Sequence, residues 1–273
     1  MVFDGYEQIR SKKRPIDGQI TELVSHTVTS VASDGSAVIE VAVEKIRGSV
    51  GPERAINLER AGTPTVRMVV APDGRLLQVE GVLAAFVGQI RAADADPMKV
   101  WSDPVGGGGV DGMQPFPLLP DQPVGPGDEW ETDFQLPLGI GRHVIDVHTE
   151  SRLLRYERID GVRTAVIKAR AEYPIDVAID WSLFAREYGG SPVPYEDLDR
   201  LPSTLSYTGT TGWVQTTWLD PELGRLVRAR GSAEFDVTAE FEGGGPRIRR
   251  LLAEKASLHV VGGMKIAVRR VAP

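Results

Sequence analysis

The feature that most constrains this chain is an apolar/polar alternation with period two that recurs from end to end, punctuated by Asp-Gly turns. Its cleanest stretch runs from Arg225 to Phe241. There Val227, Ala229, Gly231, Ala233, Phe235, Val237, Ala239 and Phe241 fall on one face, and Arg228, Arg230, Glu234, Asp236 and Glu240 on the other. A period of two is the signature of a half-buried strand, because successive side chains of extended backbone point to opposite faces. Ala37, Ile39, Val41 and Val43 repeat the pattern, as do His143, Ile145 and Val147, and Ala165, Ile167, Ala169 and Ala171, continued after Pro174 by Ile175, Val177 and Ile179. Asp34-Gly35, Asp73-Gly74 and Asp160-Gly161 separate such runs and predict hairpins, since Gly tolerates the positive φ of tight turns. The 30 glycines and 19 prolines suit a turn-rich β protein.

Roughly ten strands joined by tight turns predict a mainly β, antiparallel meander, because parallel neighbours would need crossover helices. A sheet of that width must curl, split or close. The expected architecture is a single domain over 1–273: a strongly curved antiparallel sheet, a half-barrel or open barrel. One or two helices would lie against its concave face. Helical spacing of Val82, Leu83, Phe86 and Ile90 predicts those helices between about 82 and 101. The last strand or strand pair, about Ala253 to Val271, is expected to break at Gly262-Gly263. Irregular inserts are expected at 102–128 and 182–206. The first reads as a connection between two sheet halves. The second, with Leu183, Phe184, Tyr188, Tyr195 and Leu198, reads as a cover over the mouth of the concave face, with Gly189-Gly190 as its hinge or alternatively as a static edge guard.

Charge and residue usage narrow the function classes. A net charge of -7 disfavours a nucleic-acid surface, which is normally basic. The absence of cysteine removes disulfides, thiol nucleophiles and Cys-ligated zinc. No run of apolar residues is long enough for a membrane helix. Met1 to Arg10 carries no apolar core of a signal peptide. The expected location is periplasmic or extracellular if a signal segment precedes Met1, and cytoplasmic otherwise. No Gly-x-Ser-x-Gly elbow occurs, and Gly106 to Gly109 lacks the Gly-Lys-Ser/Thr ending of a phosphate loop. Asp146, His148 and Glu150 share a strand face and could be imagined as metal ligands, but Arg142 and Arg152 continue that face, which favours cross-strand ion pairing. Asp176 and Asp180 alternate outward from Ile175, Val177 and Ile179, which disfavours an acid/base pair. His26 and His143 fall on apolar faces and are expected to be half-buried, and the five tryptophans are expected around strand ends. No metal, cofactor or catalytic residue is expected.

The apolar face of the later strands is unusual in side-chain size. Ala169, Ala171, Ala229, Gly231 and Ala233 are small, while Ile145, Val147, Ile167, Ile175, Val177, Val227, Phe235 and Val237 are bulkier. A close-packed interior must fill its volume. Such a face therefore calls either for an element lying close on it or for a ligand, and these thirteen residues are the candidate ligand-binding set.

The most distinctive passage is Phe116-Pro117-Leu118-Leu119-Pro120-Asp121-Gln122-Pro123-Val124-Gly125-Pro126-Gly127-Asp128-Glu129-Trp130. Leading into an antiparallel run and preceded by the Asp73-Gly74 hairpin, it resembles uncharacterised bacterial secreted or lipoprotein-type proteins. The layout of residues 18 to 271 resembles the periplasmic lipoprotein-carrier half-barrel, the LolA/LppX-like fold. That resemblance implies a non-enzymatic, monomeric protein of the cell envelope whose apolar cavity receives a lipid or other hydrophobic ligand. The alternative is a structural or interaction module of the cell envelope with no ligand.

Overall fold

The computed structural model describes residues 2–9, 12–50, 54–59, 65–81, 117–137, 143–180, 203–242 and 256–269. The helical segment expected at 82–101, most of the insert at 102–128 and nearly all of that at 182–206 lie outside these residues. The described residues are mainly β, as the alternation predicts, and contain no helix. They form one twelve-stranded sheet whose paired strands are all antiparallel.

The strands are β1 (Val2–Ile9), β2 (Lys12–Val31), β3 (Ala37–Val50), β4 (Arg54–Glu59), β5 (Val66–Val70) and β6 (Leu76–Glu80), then β7 (Glu129–Pro137), β8 (Val144–Ile159), β9 (Val162–Asp180), β10 (Thr204–Asp220), β11 (Arg225–Glu242) and β12 (Ala256–Arg269). Their order is β6-β5-β3-β2-β1-β12-β11-β10-β9-β8-β7, with β4 beside β3. The single expected meander is therefore two, one from each half of the chain, fused where β1 pairs β12. The first and last strands lie at the centre of the sheet, and the middle of the chain links its two ends.

Two differences from the sequence expectation have clear causes. The sheet has twelve strands among the described residues, because β1, the first part of β2 and β4 are also extended. Charged residues and Pro15 interrupt the apolar alternation there. The predicted break at Gly262-Gly263 does not occur. Strand β12 runs straight through it, with Gly262 opposite Phe235 on β11 and Gly5 on β1. Ladders on both edges hold the backbone extended where glycine alone would not.

Aspartate-glycine turns close three hairpins with Gly35, Gly74 and Gly161 at positive φ. At Gly74 a side chain is excluded outright, since a Cβ there would overlap the carbonyl of Pro117. This close approach belongs to a clasp formed by the Pro-rich passage. Leu118 is buried, and the Leu119 N–H donates to the Asp73 carbonyl at 2.8 Å. The Trp130 indole N–H donates to the Leu118 carbonyl at 3.1 Å. Gly127 N–H donates to the Leu153 carbonyl, and Leu153 N–H donates to the Asp128 carbonyl. The passage thus ties the β5–β6 turn to the start of β7 and to β8. Strands β6 and β7, at opposite ends of the sheet order, touch each other. No ladder joins them, so the described sheet is not a closed barrel.

Candidate functional site

The register decides which side chains share a face, because residues directly opposite in an antiparallel pair point the same way. Ser151, Ala169, Gln215 and Gly231 form one row across β8 to β11. Thr149, Ala171, Trp213, Ala233 and Met264 form the next. Tyr173, Thr211, Phe235 and Gly262 follow, then Ile175, Gly209 and Val237. Strand β7 adds Phe134 opposite Val147 and Leu136 opposite Ile145.

Twelve of the thirteen candidate residues therefore belong to one face, all but Val227. Ile145, Val147, Ile167, Ala171, Ile175, Val177, Ala229 and Ala233 are buried, and Ala169, Val227, Gly231, Phe235 and Val237 are partly buried. Val227 sits where the β10–β11 register shifts, so it lies at the margin of the pattern. At one end Leu119, Val124 and Trp130 from the clasp pack on Leu153, Ala165 and Ile167. The centre mixes small and large side chains: Ala169, Ala171, Gly231 and Ala233 lie on β9 and β11, with Trp213 and Gln215 of β10 between them.

Two local devices shape this face. The β8–β9 ladder extends only to Thr149↔Ala171, three residues short of Pro174, which has no N–H to give to either neighbour. Beyond it, Val144 to His148 pair with β7 alone. At Gly209 the backbone has φ of 151°, and a Cβ would collide with the Asp236 carbonyl of β11. Glycine is what permits β10 and β11 to approach there.

The sequence did not mark the polar groups on this face. Thr149, Ser151, Thr211, Gln215 and Thr217 are buried among apolar residues. Thr149 Oγ1 donates to the Thr132 carbonyl at 3.0 Å, Thr211 Oγ1 donates to the Glu234 carbonyl at 3.1 Å, and Gln215 Nε2 donates to Thr217 Oγ1 at 2.9 Å. Ser151 Oγ and Trp213 Nε1 are buried without a hydrogen-bond partner. Trp213 also corrects the expectation that the tryptophans gather at strand ends, since it lies in the middle of β10 on the buried face. Cross-strand Ala171 and Ala233 leave room for its ring. Burial pushes the Tyr207 phenol above the usual tyrosine range.

The opposite face carries the charge. Arg170 grips Glu150 through Nε and Nη2 at 3.0 and 2.5 Å, and Arg152 lies 3.4 Å from Glu129. His148 Nδ1 is 2.7 Å from Asp133 Oδ1, and this hydrogen bond raises the imidazole above its ordinary value, assisted by the charges of Asp133, Glu131 and Glu150. The Asp146–His148–Glu150 face is thus spent on cross-strand pairs, as expected. Among the described residues no group of three His, Asp or Glu side chains is placed to hold a metal ion. A second histidine pair, His259 Nε2 with Asp236 Oδ1 at 2.6 Å, joins the consecutive strands β11 and β12 and was not anticipated, because alternation alone does not give the register between them. Glu157 lies below the usual glutamate range because Trp218 Nε1 and Arg155 donate to it. Asp176 is exposed, facing away from the buried Ile175 and Val177. His143 is half-buried as expected, whereas His26 is exposed. Its neighbour on that face, Val28, is exposed too, so the alternation there does not mark a packed surface.

No helix among the described residues is long and apolar enough to cross a membrane. A scan against protein-family models found no match to the chain, and a search of curated proteins found no significant one.

Proposed function

We propose that the protein is a non-enzymatic binding protein whose apolar sheet face receives a lipid or other hydrophobic ligand. The sheet in this reading is a strongly curved half-barrel like that of the lipoprotein carriers, and the ligand lies on its concave side. The observation that carries the reading is the profile of the face. Its centre is built from Ala169, Ala171, Gly231 and Ala233, and its flanks from Ile145, Val147, Ile167, Ile175, Val177, Phe235 and Val237. The four small side chains lie among large ones, with Trp213 and Gln215 in their midst, and interiors do not leave the volume beside small side chains empty of contacts. Ligand sites are apolar depressions with a few polar groups of this kind. The contact of β6 with β7 supports the curvature, since the two ends of an eleven-strand path can touch only if the sheet bends round.

The second reading is a structural module of the cell envelope, with the face filled by the chain itself. It is favoured by the covering of one end of the face by Leu119, Val124 and Trp130. A titration of the purified protein with a fluorescent acyl probe separates the two. Saturable enhancement, reversed by an unlabelled long-chain competitor, is expected for the binding protein. A flat titration, from protein already shown to be free of bound lipid, would leave the structural reading.

A further inference from the structure

We infer that the ligand of this face is uncharged and carries a carbonyl oxygen, as an ester or amide of a long-chain acid does, and that Trp213 and Ser151 hold that oxygen. This deepens the binding-protein reading and rests on it. Ser151 and Trp213 are each 4% exposed, and the Ser151 hydroxyl and the Trp213 indole N–H have no partner. The register puts them on one face in adjacent rows, two strands apart with β9 between them. Ser151 is opposite Ala169, and Trp213 is flanked by Ala171 and Ala233. Alanine side chains carry no hydrogen-bonding atom, and the indole N–H of Trp130, opposite Ser151 on β7, is given to the Leu118 carbonyl, so these neighbours satisfy neither group.

The chemistry of the two groups selects the occupant. An indole N–H only donates, and a serine hydroxyl can donate, so both are satisfied by one acceptor with two lone pairs, such as a carbonyl oxygen. Charge then decides among acceptors. On this face β8 from 145 to 153, β9 from 165 to 177, β10 from 207 to 219 and β11 from 229 to 239 place no Lys, Arg or His. An ionised carboxylate set there would lose its water with no counter-charge from these strands in return. A neutral ester or amide loses far less and gains the same two hydrogen bonds. The apolar arms of such a molecule match the residues on either side.

The test compares three probes on the full chain: cis-parinaric acid methyl ester, cis-parinarate at a pH that ionises its carboxyl, and diphenylhexatriene, which has no hydrogen-bonding atom. The wild-type protein is expected to bind the methyl ester more tightly than the anion. Trp213→Phe and Ser151→Ala should each weaken the ester about tenfold, the effect of one lost buried hydrogen bond, and leave diphenylhexatriene within about twofold. Circular dichroism establishes that the variants fold, and should Trp213→Phe not fold, the smaller Ser151→Ala change carries the comparison. Ester affinity untouched by the substitutions would overturn the inference, because a buried water would then satisfy these atoms. So would an anion bound as tightly as the ester. Failure of the wild-type protein to bind either the ester or diphenylhexatriene would instead remove the binding-protein reading, and the inference with it.

Discussion

Two hydroxyls two residues apart on β8 should respond to removal with opposite signs. Thr149 is 0% exposed and its Oγ1 donates to the Thr132 carbonyl at 3.0 Å. Ser151 is 4% exposed and its Oγ has no partner. Thr149→Ala deletes a hydrogen bond worth about 0.5–1.5 kcal/mol. It also deletes a buried methyl worth about 0.8 kcal/mol. The expected loss is about 2 kcal/mol. Ser151→Ala removes an unsatisfied polar atom whose burial costs about 1–3 kcal/mol. Against this stand only the few dispersion contacts of one oxygen, a few tenths of a kcal/mol. The ligand-free variant should therefore gain about 1–2 kcal/mol. Urea unfolding of ligand-free protein, fitted for midpoint and slope, measures both. The slope should not change, since neither substitution alters the surface exposed on unfolding. In a thermal melt each kcal/mol corresponds to about 2–4 °C for a chain of this size. A fall in stability for Ser151→Ala would refute the reasoning, because it would show that Oγ is satisfied in the ligand-free protein.

Three further outcomes are expected. Gly209→Ala should cost about 1–3 kcal/mol, because it forces a Cβ against the Asp236 carbonyl at a φ that side chains rarely adopt; a variant as stable as the parent would contradict that geometry. The His148 imidazole should titrate above an ordinary histidine in an NMR titration, and Asp133→Asn should bring it back down, whereas an unmoved value would remove the pairing. Since its folded value is raised, the small stability this pair contributes is present below the unfolded histidine value, near 6.5, and fades as pH rises through the folded value. Gly231→Trp adds a large ring beside Gln215 in the centre of the face: it should weaken an acyl probe while leaving the unfolding midpoint nearly unchanged, and a loss of about 1–3 kcal/mol with probe binding intact would mean the centre is already packed.

The strands of the second half were legible because each is long, alternates strictly and is bounded by turns with a chemical signature. Arg225–Glu242 and the Asp160-Gly161 hairpin follow directly from period and turn chemistry. What alternation cannot supply is pairing between distant segments. The β1–β12 ladder at the sheet centre joins residues about 260 apart, and nothing local at Val2–Ile9 announces it. The same ladder explains why Gly262-Gly263 looked like a break and is not one. The candidate face was legible as a pattern of large and small side chains, because period two assigns faces without knowledge of neighbours. Its polar centre was not. Ser151, Trp213 and Gln215 read as ordinary strand residues until the register sets them among alanines. The Phe116–Trp130 passage stood out in sequence, and its described part, from Pro117, acts as a clasp: Gly74, Leu118, Gly127 and Trp130 each have a packing or hydrogen-bonding reason to be what they are.

A face that binds as proposed holds a hydrophobic molecule when the protein leaves the cell. Native mass spectrometry of the gently purified protein, followed by solvent extraction and mass analysis of the extract, tests it most directly. The account predicts a bound species that leaves on activation and appears in the extract as a neutral, long-chain ester or amide. A spectrum containing only the mass of the bare chain, from protein that also leaves acyl-probe fluorescence unchanged, would contradict it.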